Sequence, residues 1–421
     1  MPRPPLPRRF SLGIALVFLA AGCTTAPTEY REPLPLAAAD RSAANLRVFE
    51  RTWELVNGKY FDTKFRGVDW PAMRAKYRPD AVAATDDAAL YGVLNRLCAE
   101  LKESHLAALA PRRAHEIRTE RRASVGFRMQ LLEAKRVVTE VVPGSPAALA
   151  GVQSGWLVVG RNGAPLLDKD PYLPKLGQPV SYSFLDATDQ AHTFTMEPQL
   201  LNFHQQVARE LPGNFRYLRF DEFDHQSLHW LSEQLKARPT APGVVLDLRN
   251  NPGGNVLALK VALAEFFSKK VSAGRTVRRN GRERENESVS WLSAHYAGHV
   301  IILTDNSTGS AAEIFSHVLQ HNRRATVLGR RTAGAVIVSR LYDLPGGGKL
   351  QVPVSDYIGL DGQRLEGRGV TPDMTLPAPT LTDLRTQYDP DLEAALHALQ
   401  KNAPASTGPK KDARTIGRLV R

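Results

Sequence analysis

The sequence predicts a multidomain α+β protein with an N-terminal helical domain, a small β-rich domain and an α/β layered domain. Three patterns carry this. Leu46, Phe49, Trp53 and Val56, then Leu90, Leu94, Leu97 and Leu101, recur at the three- and four-residue steps of a helix face. The stretch Arg136-Val137-Val138-Thr139-Glu140-Val141-Val142 reads as a strand and runs into the turn-forming Pro143-Gly144-Ser145-Pro146. Gly243–Leu248 and His299–Thr304 are apolar runs of buried-strand type, followed by helical patterns over Ala258–Phe267 and Ala311–Gln320.

The chain has 421 residues, enough for two or three domains with real cores, and an ordinary globular composition of 43% apolar and 23% charged residues. Its net charge of +12 is concentrated at the ends. With the +3 of residues 1–22 and the +5 of residues 401–421 set aside, about +4 remains for the body, so charge points to no nucleic-acid partner. The basic tail 401–421 reads as a solvated, disordered extension. At the other end, Arg8-Arg9 precedes the short apolar stretch Leu12 to Leu19 and then Ala20-Ala21-Gly22-Cys23. That is the layout of an export signal over residues 1–22, with too few apolar residues for a transmembrane helix. Cys98 lies in a helical run and reads as a buried thiol.

Residues 23–43, with Pro33 and Pro35, read as a tether. The helical domain follows over 44–118, the β-rich domain over 122–198 and the α/β domain over 201–400. Gly213 to Phe220 alternates as a strand. The last helix spans Asp389–Leu399, with the aspartate as its N-cap.

Three blocks carry the chemistry. Val244-Val245-Leu246-Asp247-Leu248-Arg249-Asn250-Asn251-Pro252-Gly253-Gly254, Asp305-Asn306-Ser307-Thr308-Gly309-Ser310-Ala311-Ala312-Glu313 and Gly329-Arg330-Arg331-Thr332-Ala333-Gly334-Ala335 each end an apolar strand in small residues. There the chain exposes backbone N–H groups and a hydroxyl. Acyl transfer needs a nucleophile, a base within hydrogen-bond reach and donors for an oxyanion. Ser310 fits the first role, at the positive end of a helix dipole. The Ala311 N–H is a natural oxyanion donor, and Gly253 or Gly254 offers a second; the residues alone leave open which.

Together these blocks resemble the core of the carboxyl-terminal-processing/tricorn-like serine peptidases, a catalytic domain of the tricorn-core/ClpP-crotonase-like type. The lysine-dependent branch of that family places its lysine 25 positions after the nucleophile, which is Ala335 here, and a supporting glutamine where this chain has Ser339. The tricorn-like branch takes a histidine from the N-terminal domain, preceded by a serine, plus a late glutamate. Glu103-Ser104-His105 and Glu366-Gly367-Arg368-Gly369-Val370-Thr371-Pro372-Asp373 match that pattern. The resemblance thus implies a tetrad: Ser310 attacks, His105 is the base, and Ser104 and Glu366 support it. With neighbouring side chains about 100° apart on a regular helix, Ser104 and His105 are expected just past a helix end. His317 and His321 lack the glutamate of a metal-binding helix and are expected on a surface face; no metal or other cofactor is implied.

Ser124-Val125-Gly126-Phe127 and Gly144-Ser145-Pro146-Ala147-Ala148-Leu149-Ala150-Gly151 resemble a β-barrel-like PDZ domain of the protease-associated type, with Trp156 where relatives carry an aspartate. That likeness implies backbone N–H groups of Val125, Gly126 and Phe127 turned toward a peptide's terminal carboxylate. Leu19 to Cys23 resembles a bacterial lipobox, implying lipidation at Cys23 and a place in the cell envelope on the periplasmic face, the outer membrane being favoured. The expected function is a membrane-anchored serine endopeptidase acting on unfolded or C-terminally exposed envelope proteins. Whether an activator lipoprotein assists it is open. The alternative is a non-catalytic PDZ lipoprotein that binds protein C-termini as an adaptor.

Overall fold

The computed structural model describes residue 30 and residues 36–166, 174–290 and 295–402. The signal over 1–22, the lipidation position Cys23 and nearly all of the basic tail lie outside the described residues.

The N-terminal unit contains α1 (Ala38–Lys59), α2 (Trp70–Ala83), α3 (Asp87–Ala99), the short strand β1 (Ala107–Leu109) and α4 (Pro111–Thr119). Asp69 and Asp86 cap α2 and α3 by accepting the N–H groups of Ala72 and Ala89. Phe49, Val56, Leu90, Leu94, Leu97 and Cys98 are buried together, as their spacing predicts. Two features differ from the expected helical domain. It begins at Ala38, and it is not purely helical. β1 pairs antiparallel with a strand of the C-terminal unit, Ala107 opposite Gln351, and Leu350 and Val352 of that strand complete the helical core.

The second unit holds β2 (Arg122–Ser124), β3 (Phe127–Leu132), β4 (Lys135–Val141), α5 (Pro146–Leu149), β5 (Leu157–Arg161), β6 (Ala164–Pro165), β7 (Val180–Leu185), β8 (Ala191–Met196) and β9 (Gln199–Leu201). Its main sheet runs β3-β4-β5-β7-β8, with β6 on β5, while β2 and β9 form a separate two-stranded ribbon. Trp156 is buried in this unit's core and stacks on His192 with ring centroids 5.0 Å apart.

The third unit comprises β10 (Gln206–Leu211), β11 (Phe215–Phe220), α6 (His225–Ala237), β12 (Gly243–Asp247), α7 (Val256–Ala264), β13 (Ser272–Arg278), β14 (Glu283–Glu287), β15 (His299–Thr304), α8 (Ala311–His321), β16 (Thr326–Gly329), β17 (Val338–Asp343), β18 (Lys349–Ile358), β19 (Met374–Thr375), α9 (Leu381–Arg385) and α10 (Pro390–Asn402). Its central sheet has the order β10-β11-β12-β15-β16-β19, parallel from β11 onward. Successive side chains point to opposite faces of a strand, and both faces are covered. Leu218, Phe220, Leu246 and Ile302 pack with Leu231, Leu259 and Phe315 of α6, α7 and α8. Tyr217, Val245, Ile301 and Leu303 pack with Leu392, Leu396 and Leu399 of α10. The alternating strand therefore has no solvent face, because a helix layer lies on either side. β1, β18, β13 and β14 form a second sheet, with β17 pairing β18.

This architecture locates the site. The loops leaving the carboxyl ends of β12, β15 and β16 are the three small-residue blocks, and open parallel sheets bind ligands at those ends. The segment 330–336 then leads into β17 and the second sheet, where β1 arrives from the N-terminal unit.

Candidate active site

The loop after β15 is tied by its own polar groups. The Asp305 carboxylate accepts the N–H groups of Ser307 and Thr308, and the buried Thr308 hydroxyl donates to the Leu248 carbonyl at 2.8 Å. The chain then reaches Ser310 with φ 50° and ψ −117°, a conformation that costs a non-glycine residue of order 1–3 kcal/mol. Ser310 stands immediately before α8. Its backbone N–H is held twice, by the Ala335 carbonyl at 2.9 Å and by Glu313 Oε2 at 3.0 Å.

Glu313 explains how the strain is retained. Its side chain lies in the first turn of α8, it is 0% exposed, and it also accepts Gly334 N–H at 2.7 Å, Ala335 N–H at 2.8 Å and the Thr332 hydroxyl at 2.5 Å. Burial pushes its carboxyl above the usual range, and these four donors oppose that shift. One carboxylate thus staples the serine turn to the segment after β16. Neither Glu313 nor Thr332 is singled out by the sequence reading, although the Ser-x-x-Glu spacing of a capping box was there to find Glu313.

The glycine pair lies against the same turn. At Gly253, φ is +105°, and a Cβ there would stand 2.5 Å from Ser310 Cβ and 2.7 Å from the Ala311 nitrogen. The buried Asn251 side chain accepts Gly253 N–H at 2.9 Å and donates to the Phe220 carbonyl at 2.8 Å; its own carbonyl accepts Gly309 N–H at 2.9 Å. Gly253 N–H is therefore already engaged. The N–H groups of Gly254 and Ala311 have no acceptor among the described residues.

His105 and Ser104 lie beyond the end of α3, as expected, in the turn before β1. Ser104 Oγ is 2.7 Å from His105 Nδ1, and Ser104 N–H donates to Glu366 Oε1 at 3.1 Å. Glu366 is 8% exposed, and its other oxygen accepts Val336 N–H at 2.5 Å. Burial lowers the His105 pKa from its ordinary value, against the opposing pull of the Glu366 and Glu103 carboxylates. No hydrogen bond joins His105 to Ser310 among the described residues. The adjacent residues Ala335 and Val336 connect the two halves instead: the first holds Ser310 N–H, the second Glu366. Position 335 is thus a backbone anchor, with both its N–H and its carbonyl occupied.

The other predicted positions lie elsewhere. Val125 and Gly126 precede β3, and Phe127 opens it, at the edge of the second unit's sheet. Gly126 N–H does not stand free, because it donates to Ser124 Oγ at 3.0 Å, and the Val125 carbonyl accepts Ala147 N–H at 2.8 Å. His317 is not on a surface face: it is 7% exposed, and its Nε2 accepts Leu360 N–H at 3.2 Å because the turn at Gly359 folds over it. His321 is exposed.

Residues 214–376 match the model of peptidase family S41, and residues 43–99 match that of the tricorn protease C1 domain. A carboxyl-terminal-processing protease of Synechocystis sp. is 27% identical over 375 residues, covering 83% of this chain and 85% of the relative. These matches support a carboxyl-terminal-processing/tricorn-like S41 serine peptidase. Its fold resembles that of the photosystem II D1 C-terminal processing protease, with a TM-score of 0.55 at 22% identity over 85% of this chain and 97% of the other. The tricorn protease gives a TM-score of 0.52 at 17% identity over 86% of this chain and 37% of its own. The S41 stretch holds the serine block, the glycine pair and Glu366. The peptidase's His105 falls between the two stretches.

Proposed function

We propose that the chain is an exported, lipid-anchored serine endopeptidase that uses Ser310 as nucleophile and His105 as base. The observation that carries this reading is the hydrogen bond from Ser104 N–H to Glu366, whose other oxygen accepts the N–H of Val336, the neighbour of the Ala335 that holds Ser310 N–H. For His105 Nε2 to take a proton, Nδ1 must carry hydrogen and donate it to Ser104 Oγ. The Ser310 hydroxyl then adds to the scissile carbonyl as its proton passes to Nε2. Collapse of the tetrahedral intermediate expels the amine, which takes that proton, and leaves an acyl-enzyme that water hydrolyses by the same route. Glu366 stabilises the transient imidazolium. The unengaged N–H groups of Gly254 and Ala311 serve the oxyanion, which favours Gly254 over Gly253 as the second donor.

In this reading the second unit is a PDZ domain whose edge strand β3 receives the C-terminal end of an unfolded polypeptide. The Cys23 lipid holds the enzyme at the periplasmic face of the envelope, with the outer membrane favoured. A fluorophosphonate probe tests the chemistry. Labelling should vanish in Ser310→Ala and fall by at least about a hundredfold in His105→Ala. Full labelling in His105→Ala would remove the histidine from the mechanism, and C-terminal peptide binding without labelling would favour an adaptor.

A further inference from the structure

Glu103 is a buried carboxylate that the chemistry above does not use. It directly precedes Ser104, and its side chain has no exposed surface. Three groups converge on it. Tyr60 at the end of α1 donates its hydroxyl at 2.7 Å, Arg66 donates at 2.6 Å, and Arg364 reaches Oε2 at 3.2 Å. Tyr60 is itself held from the C-terminal unit, since Arg279 donates to its carbonyl and, at 3.0 Å, to that of Asn57. Arg364 is fixed in turn by Asp356 of β18, through Nε at 2.8 Å and 2.9 Å.

Tyr60 and Arg66 belong to the N-terminal unit, but Arg364 does not. It stands in the same short segment as Glu366. The two segments that meet at the Ser104–Glu366 hydrogen bond are therefore joined a second time, by an ion pair one residue before Ser104 and two before Glu366. A charged pair with little solvent around the carboxylate fixes direction as well as distance. A single hydrogen bond to a backbone N–H leaves the His105 turn free to pivot, and two parallel links remove that freedom.

We propose that Glu103 is a positioning residue which, through Arg364, sets the orientation of His105 over the Glu366 segment. The proposal rests on His105 being the base. Glu103 touches neither substrate nor the reacting atoms and acts through the turn that it anchors. Misplacement of a catalytic group by about 1 Å costs on the order of a hundredfold in rate.

The test uses the full-length chain with a fluorophosphonate probe, separating the maximal labelling rate from the probe's apparent affinity. Glu103→Gln keeps the shape and removes the charge. The expected result is a fall of about 10- to 100-fold in maximal rate, with apparent affinity within about twofold. Arg364→Gln should do the same, and the double variant should be no slower than the worse single variant, as two ends of one contact require. Glu103→Gln should also move the acid limb of the rate profile to lower pH, because its charge favours protonated His105. Circular dichroism on each variant normalises rates to folded protein. A wild-type maximal rate in Glu103→Gln would overturn the proposal, and so would losses that multiply in the double variant. If His105→Ala labels normally, the parent reading fails. If His105→Ala is dead and Glu103→Gln is unimpaired, only the positioning role fails.

Discussion

Ser104 and Glu366 are 262 residues apart in sequence and joined by a 3.1 Å hydrogen bond. That bond makes the candidate site a product of two distant parts of the chain. The proposed nucleophile and oxyanion donors come from loops at the carboxyl ends of β12 and β15, while the proposed base comes from the turn before β1. The peptidase therefore depends on the docking of its N-terminal unit as much as on the local geometry of Ser310.

The strain at Ser310 predicts a trade between stability and activity. Glycine adopts positive φ at little steric cost, so Ser310→Gly should abolish hydrolysis of unfolded casein while raising stability by about 0.5–1 kcal/mol. Ser310→Ala should be equally inactive without that gain. Thermal denaturation of the two variants checks this, and equal melting temperatures would contradict it.

The lowered His105 pKa predicts the pH profile. The base acts when neutral, so activity is lost as pH falls through its pKa. Burial lowers that pKa, which places the acid limb of kcat/KM below the ordinary 6.5. Glu366 opposes the shift. Glu366→Gln should move the limb still lower while reducing kcat by about a hundredfold. A limb moving upward in that variant would show that Glu366 does not act on His105.

Gly253 predicts a steric kill. A methyl group there would lie 2.5 Å from Ser310 Cβ at a φ of +105°. Gly253→Ala should eliminate fluorophosphonate labelling, whereas Gly281→Ala, whose Cβ position has nothing within 4 Å, should label normally. Folded protein in both samples, by circular dichroism, makes the comparison meaningful.

Arg249 predicts a stability effect away from the serine. It donates to Asp247 at 2.6 Å, Asp389 at 2.7 Å and Asp391 at 2.9 Å, and so pins the start of α10 to the central sheet. Removing its charge leaves buried carboxylates uncompensated, so Arg249→Gln should cost about 3–5 kcal/mol in chemical denaturation. A loss under about 1 kcal/mol would mean that Arg330, which also binds Asp391, suffices alone.

Much of this was legible in the chain. Apolar periodicity located α3, and continuous apolar runs located β12 and β15, because burial on both faces leaves a plain mark in sequence. The serine and glycine blocks were legible as places where strands stop in small residues. Glu313 was marked only by its capping-box spacing from Ser310; the roles of Asn251 and Glu103 were not legible, since a polar residue fixed by tertiary hydrogen bonds has no periodicity of its own. β1 was missed because three residues between helices carry too little pattern to declare a strand whose partner lies about 240 positions away. The free N–H at Gly254 emerged only once Asn251 was seen to occupy its neighbour.

The pairing of Ala107 with Gln351 has a consequence for biosynthesis. A chain emerging from the ribosome makes the His105 turn early, but the strand that seats it and the carboxylate that orients it arrive only with the last fifth of the polypeptide. In the proposed mechanism, a nascent or prematurely ended product that lacks Glu366 and the partner strand of β1 has no oriented base and cannot cut its neighbours. A fragment confined to residues 214–376 would have the serine turn without His105, the proposed base.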